Sequence, residues 1–156
     1  MFSVTQHGKE LDKSKYVWDE NNKVFSTKED NLVLDFSDYD GITFNTNHSC
    51  IFSTGDNCTF NTEGFCVFMT GSNCTFNTNL NCTFNTGDSC TFNTGRNCFV
   101  TRYDVNGAIE IPVNKVIRLN EARVSGYNEI KKNKENNCDG KVIVIDGKKY
   151  KLQIVD

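Results

Sequence analysis

Six consecutive octads decide the reading: CIFSTGDN (50–57), CTFNTEGF (58–65), CVFMTGSN (66–73), CTFNTNLN (74–81), CTFNTGDS (82–89) and CTFNTGRN (90–97). Cysteine opens each octad and phenylalanine follows two positions later. Positions 1, 3 and 5 (Cys, Phe, Thr) alternate with positions 2 and 4, which is the period of a strand and not of a helix. Thr, Asn, Cys and Phe are also poor helix formers, and a Gly or Asn arrives at every octad end. Each octad therefore reads as a five-residue strand and a three-residue corner. One such strand cannot bury its own Cys and Phe, so the strands must stack as a solenoid.

The outward positions and the corners set the size of a coil. Alternate octads carry Thr43/Asn45, Thr59/Asn61, Thr75/Asn77 and Thr91/Asn93, a uniform polar face. The remaining octads carry Ile51, Val67, Met69 and Phe99 among mixed neighbours, an irregular and more apolar face. One corner column holds Asp40, Asp56, Ser72, Asp88 and Asp104, and the other holds His48, Gly64, Leu80 and Arg96. Octads two apart match and octads three apart do not. The expectation is an all-β, parallel two-sheet β-solenoid with 16 residues per coil, running in degraded register from Leu34 and Phe36 through Ile42 and Phe44 to Val105.

Residues 1–33 read as an N-terminal cap, with Trp18 and the Val24/Phe25 pair as candidates to cover the first coil, whose end would otherwise expose apolar surface and unpaired backbone. Residues 34–105 are the octad solenoid. Residues 106–156 read as a small C-terminal β module: Ile109–Val113 and Lys115–Leu119 alternate, and Asp146-Gly147 between two apolar runs is a hairpin signal.

A net charge of −3 at pH 7 gives no general pull towards nucleic acid or anionic membrane. No stretch reads as a signal peptide or membrane span, so a cytoplasmic address in the host cell is expected. No cofactor is expected. The histidines His7 and His48 lack a nucleophile or acid at informative spacing, and no phosphate-binding glycine loop occurs, so an enzyme is not expected.

The ladder cysteines, stacked about 4.8 Å apart, lie too far apart for an unstrained disulfide and read as small buried hydrophobes. Cys138, in a polar loop, reads as the accessible thiol. The Asp40, Asp56, Asp88 and Asp104 column is a weak candidate for calcium, since a Gly-Asp corner favours Asp without any metal. The Thr-x-Asn face has two ranks of hydroxyls and amides about 6.8 Å apart. It is similar to the Thr ranks of insect antifreeze proteins, although Asn in the second rank can simply ladder amide to amide.

The run from Cys74-Thr-Phe-Asn-Thr78 to Cys90-Thr-Phe-Asn-Thr-Gly95, followed by Phe99–Asp104 and an Ile-Asp-Gly-Lys-Lys-Tyr-Lys-Leu hairpin, resembles octad-repeat β-solenoid proteins encoded by phages and prophages. The resemblance covers Leu34 to the C terminus and implies a viral or mobile-element origin more than an activity. Under it, the expected role is a non-catalytic protein that occupies a host macromolecule, such as a defence nuclease or signalling protein, through its solenoid faces or its C-terminal module, with the Ile51, Val67, Met69 and Phe99 face apolar enough to be the partner surface. A homodimer through that face is equally compatible. The alternatives are a phage virion spike or fibre component, and an ice-binding protein using the Thr-x-Asn face.

Overall fold

A computed structural model describes residues 1–131 and the backbone of 142–145 and 148–151. It is a β-solenoid of two eight-stranded sheets. The strands in chain order are β1 (Ser3–Gln6), β2 (Lys9–Glu10), β3 (Tyr16–Asp19), β4 (Val24–Thr27), β5 (Leu32–Phe36), β6 (Thr43–Asn45), β7 (Ile51–Thr54), β8 (Thr59–Asn61) and β9 (Val67–Met69). They continue as β10 (Thr75–Asn77), β11 (Thr83–Thr86), β12 (Thr91–Asn93), β13 (Phe99–Arg102), β14 (Ala108–Glu110), β15 (Val116–Leu119), β16 (Tyr127–Ile130), β17 (Val142–Ile145) and β18 (Lys148–Lys151).

The first sheet stacks β5, β7, β9, β11 and β13 in parallel, and the second stacks β4, β6, β8, β10 and β12. Registers such as Phe60↔Phe76 and Phe68↔Phe84 are offset by one coil of two octads, which gives about five turns. The octad pattern causes this directly. Cys, Phe and Thr point between the sheets, where all seven ladder cysteines and, Phe65 apart, the phenylalanines from Phe25 to Phe92 are buried.

The phenylalanines form two stacks. Along a stack the rings lie nearly parallel, as for Phe52 and Phe68 at 5.0 Å and 3°; across the slab they meet edge to face, as for Phe60 and Phe68 at 5.1 Å and 73°. Both are favoured aromatic geometries.

The corners need a left-handed residue to turn the chain back. Position 8 supplies it, at Asn57, Asn73 and Ser89 on one side and Asn31, Ser49, Phe65, Asn81 and Asn97 on the other, with φ between 57° and 62°. Asn tolerates that region better than most residues. Gly41 takes the same place in the first corner with φ 71°. At position 6, a Cβ on Gly71 would collide with the Asp56 carboxylate, so glycine there makes room for an acidic side chain from the preceding coil.

Three sequence expectations change. The octad register equates Leu34 and Phe36 with the Cys and Phe positions, but β5 pairs Leu34 with Phe52 and Phe36 with Thr54, a shift of two residues. The extra length sits in the corner at 37–41, so Asp40 keeps its place. The outward residues of β5 are consequently Val33 and Asp35. Phe25 is not merely a lid: β4 runs parallel to β6 and Phe25 pairs with Phe44 as a rung of the core. After Gly107 the chain continues both sheets through Ile130, with β14 antiparallel to β13 and β15 antiparallel to β12, and β16 follows on β15.

Both ends are thus closed by antiparallel strands that pair the last parallel edges. At the start, β1 lies on β5 and β3 on β4, with Phe2 stacked on Phe36 at 4.4 Å and Trp18 beside it at 5.8 Å. At the far end Ile111, Ile117 and Leu119 are buried over the final coil. β17 and β18 pair antiparallel as the hairpin signal predicts. The turn at Asp146-Gly147 and Cys138 lie outside the described residues.

Candidate functional site

The uniform face lies on the second sheet. Its threonines Thr43, Thr59, Thr75 and Thr91 align in register, as do Asn45, Asn61, Asn77 and Asn93. The Asn rank is occupied with itself: Asn77 Nδ2 donates to Asn61 Oδ1 at 3.0 Å, Asn61 Nδ2 to Asn45 Oδ1 at 2.9 Å, and Asn45 Nδ2 to Ser26 Oγ at 3.3 Å. The amides therefore brace one coil against the next. No such ladder joins the four threonines among the described residues, and these residues are half-buried.

The Asp column is likewise committed to the fold. Asp40 Oδ1 accepts the Asp56 backbone N–H at 2.7 Å, and Asp56 Oδ1 accepts that of Ser72 at 2.7 Å. Ser72 Oγ then donates to Asp88 Oδ1 at 2.7 Å. Asp104 breaks from the column and grips Arg102, with Nε and Nη2 at 2.9 and 2.7 Å. Among the described residues no group of three or more His, Cys, Asp or Glu side chains is arranged to hold a metal ion.

The inward residues are also accounted for by packing. The seven described ladder cysteines are free thiols, several donating weakly to the carbonyl two residues earlier, as Cys66 does to Gly64 O at 3.5 Å. The neighbouring Cys50 thiol together with burial pushes the Cys66 thiol up to about 11, away from reactivity. The position 5 hydroxyls mostly bond the adjoining corner carbonyl, as in Thr86 to Gly87 O at 3.0 Å. Thr46 and Thr78 make no such bond.

The irregular face of the first sheet is different: Asp35 and Thr101 hold neighbouring groups, but its apolar side chains point away from the core. The register Val33↔Ile51↔Val67↔Thr83↔Phe99 forms one outward rank, and Asp35↔Ser53↔Met69↔Asn85↔Thr101 forms the other. Val33, Ile51, Val67, Met69 and Phe99 are each 40–45% exposed, so four apolar side chains share a rank with a fifth alongside. Val33 joins this set only through the two-residue shift.

Phe65 is the residue the octad reading passed over. It stands two positions before Val67, at the corner leading into β9, and is 59% exposed. The other corners of its column use Asn or Ser at this left-handed position. A signal was available: Phe65 is the one bulky residue at position 8 of the repeat. Leu80, whose carbonyl accepts the Phe65 N–H at 2.9 Å, lines a shallow hollow of about 180 Å³ with it.

No helix among the described residues is long and apolar enough to cross a membrane. Compared with family models, with curated proteins and with solved structures, the chain matches none.

Proposed function

We propose that this protein is a non-catalytic binding module whose outward first-sheet face seats a partner protein. The observation that carries the reading is the apolar rank Val33, Ile51, Val67 and Phe99, with Met69 beside it, held on a backbone laddered coil to coil. Clustered exposed apolar side chains, here Val33, Ile51, Val67 and Met69 with Phe99 beyond Thr83, mark interaction sites. The repeat's resemblance to phage octad proteins supports a viral origin, and with it a host macromolecule, such as a defence nuclease or signalling protein, as the partner. In the described residues the titratable groups that converge do so as corner ladders and ion pairs. That supports a binding role over catalysis.

Affinity capture from a bacterial host lysate, run in parallel with wild type and Val67→Asp, tests it. Val67 points outward, so the variant keeps the fold. A host protein retained by wild type and lost with the variant is expected; the same captured set with both baits overturns the reading. A tight solution trimer would instead favour the virion-spike alternative, although the single chain already buries its phenylalanine stacks without partners.

A second reading, ice binding, is favoured by one observation. Thr43, Thr59, Thr75 and Thr91 form a rank in regular register that the Asn ladder leaves unused. It predicts thermal hysteresis lost in Thr75→Tyr; absence of hysteresis in the wild type removes it.

A further inference from the structure

The charges around the apolar rank indicate what covers it. The outward ranks of the first sheet extend through β1 and β2 at one end and β14 at the other. There Thr5 pairs with Val33 and with Glu10, and Glu110 pairs with Phe99. Acidic side chains therefore stand at both ends, Glu10 and Asp35 before the apolar rank and Glu110 after it, all exposed. Across the two ranks there is no Lys or Arg side chain. The ammonium of Met1 lies off them, against Asp38 at 3.5 Å.

This pattern argues against a second copy. If two such faces met with their coils running the same way, Asp35 would lie level with Asp35 and Glu110 with Glu110. If they met head to tail, Glu110 would oppose Glu10. Either arrangement brings acid near acid with no base among the described residues of the two ranks, and like charges across an interface suppress association. The footprint is also small. Eight strands about 4.8 Å apart and three to four residues wide span roughly 400 to 500 Å² of sheet, a platform the size of a peptide.

Phe65 enlarges that footprint round the corner. A left-handed conformation costs an L-residue about 1 to 2 kcal/mol, and Phe65, 59% exposed, recovers only part of this by burial. Strain at an exposed aromatic is the signature of a residue placed for contact, and large aromatics anchor interfaces. The nearby bases, His48 and Arg96, belong to the corner column, and His48 is engaged with Asp30 at 3.5 Å.

Resting on the binding reading above, we infer that the first-sheet face, anchored at Phe65, takes a protein segment apolar at its centre and basic at both ends. Asp35 and Glu110 are five strand steps apart, about 24 Å, the length of a helix of about 16 residues.

The test is selection of a random library of about 16-residue peptides displayed on phage against the full chain, with Phe65→Asn as the counter-selected bait. Asn restores the side chain other corners use at this position, so the variant folds. Expected survivors carry an apolar centre with Lys or Arg at both ends, several-fold above their library frequency. Synthesised, they bind wild type at least ~10-fold tighter than the variant, and adding salt weakens them. Survivors that discriminate the two baits but lack basic ends overturn this inference and leave the binding face standing. No survivor that discriminates the baits overturns both. Self-association of the wild type abolished by Phe65→Asn makes a second copy the occupant and overturns the inference.

Discussion

Asp56 Oδ1 accepts the backbone N–H of Ser72 at 2.7 Å, so a side chain of one coil caps the corner of the next. The same bond joins Asp40 to the Asp56 N–H, and glycines at 55 and 71 clear the space it needs. Removing the acceptor leaves a corner amide to solvent. Asp56→Ala is expected to lower stability by about 1 kcal/mol, read as a reduced urea midpoint at constant slope, whereas Asp56→Asn, which retains an acceptor, stays within half of that loss. Equal losses in the two variants would mean that charge and not the bond matters.

Two phenylalanines three residues apart in sequence are expected to respond in opposite directions. Phe68 sits mid-stack between Phe52 and Phe84, at 5.0 and 4.8 Å, with Phe60 and Phe76 edge-on across the slab. Phe68→Ala opens a cavity that the neighbouring rings cannot fill without leaving register, at about 3 to 5 kcal/mol. Phe65→Asn relieves a left-handed aromatic and is expected to gain about 1 kcal/mol. Thermal melts of both variants check this; a destabilised Phe65→Asn would show that Phe65 supports the fold.

The octad made the coil legible because its inward set, Cys-Phe-Thr, is chemically distinct and its corners alternate between Asp and non-Asp. The first rung was misread for a physical reason. Leu32, Leu34 and Phe36 alternate equally well in either register, and the two extra residues fall before Asp40, which stays level with Asp56. Nothing in Ile109–Leu119 says which edges those strands pair with, because alternation encodes a face and not a neighbour. The surfaces divide similarly. The Asn ladder followed from spacing alone, while Val33 and Phe65 required knowing the register and the backbone conformation at position 8.

The ladder cysteines are expected to be silent in the native state. Cys58, Cys66, Cys82 and Cys98 lie above the ordinary thiol range, each through the adjacent thiol in its column and through burial; Cys50 and Cys90 lie below it, as acceptors from Cys66 and Cys74. Burial dominates their reactivity, since none of the seven is more than 1% exposed. Alkylation with iodoacetamide at pH 8, followed by peptide mass mapping, should leave all seven unmodified until denaturant unfolds the chain, then modify them together. Graded labelling from the ends inwards would mean that the coils open one at a time.

The clasp at the far end sets an acid limit on stability. Arg102 replaces the position 5 threonine in the last rung, paired with Thr86, and its buried guanidinium also donates to the Val124 carbonyl at 2.7 Å and the Glu121 carbonyl at 3.1 Å. Asp104 accepts the Arg123 N–H as well, so one pair ties the 121–124 turn to the solenoid. The Arg123 amide first, and the Arg102 guanidinium second, hold the Asp104 carboxyl below its usual value; the Ser72 and Ser89 hydroxyls do the same for Asp88. A carboxyl depressed in the folded state stabilises fully above its unfolded value, about 3.9, and that contribution is lost as pH falls through the lower folded value. Melting temperature is therefore expected to hold from neutrality to about pH 5 and to fall below about pH 4. Arg102→Met, which strands the two carbonyls and the carboxylate, should cost about 2 kcal/mol and flatten the Asp104 share of the acid slope. Hydrogen exchange should quicken first at 121–130 in that variant; unchanged exchange there, with the loss spread through the coils, would show that Arg102 acts through the core and not as a clasp.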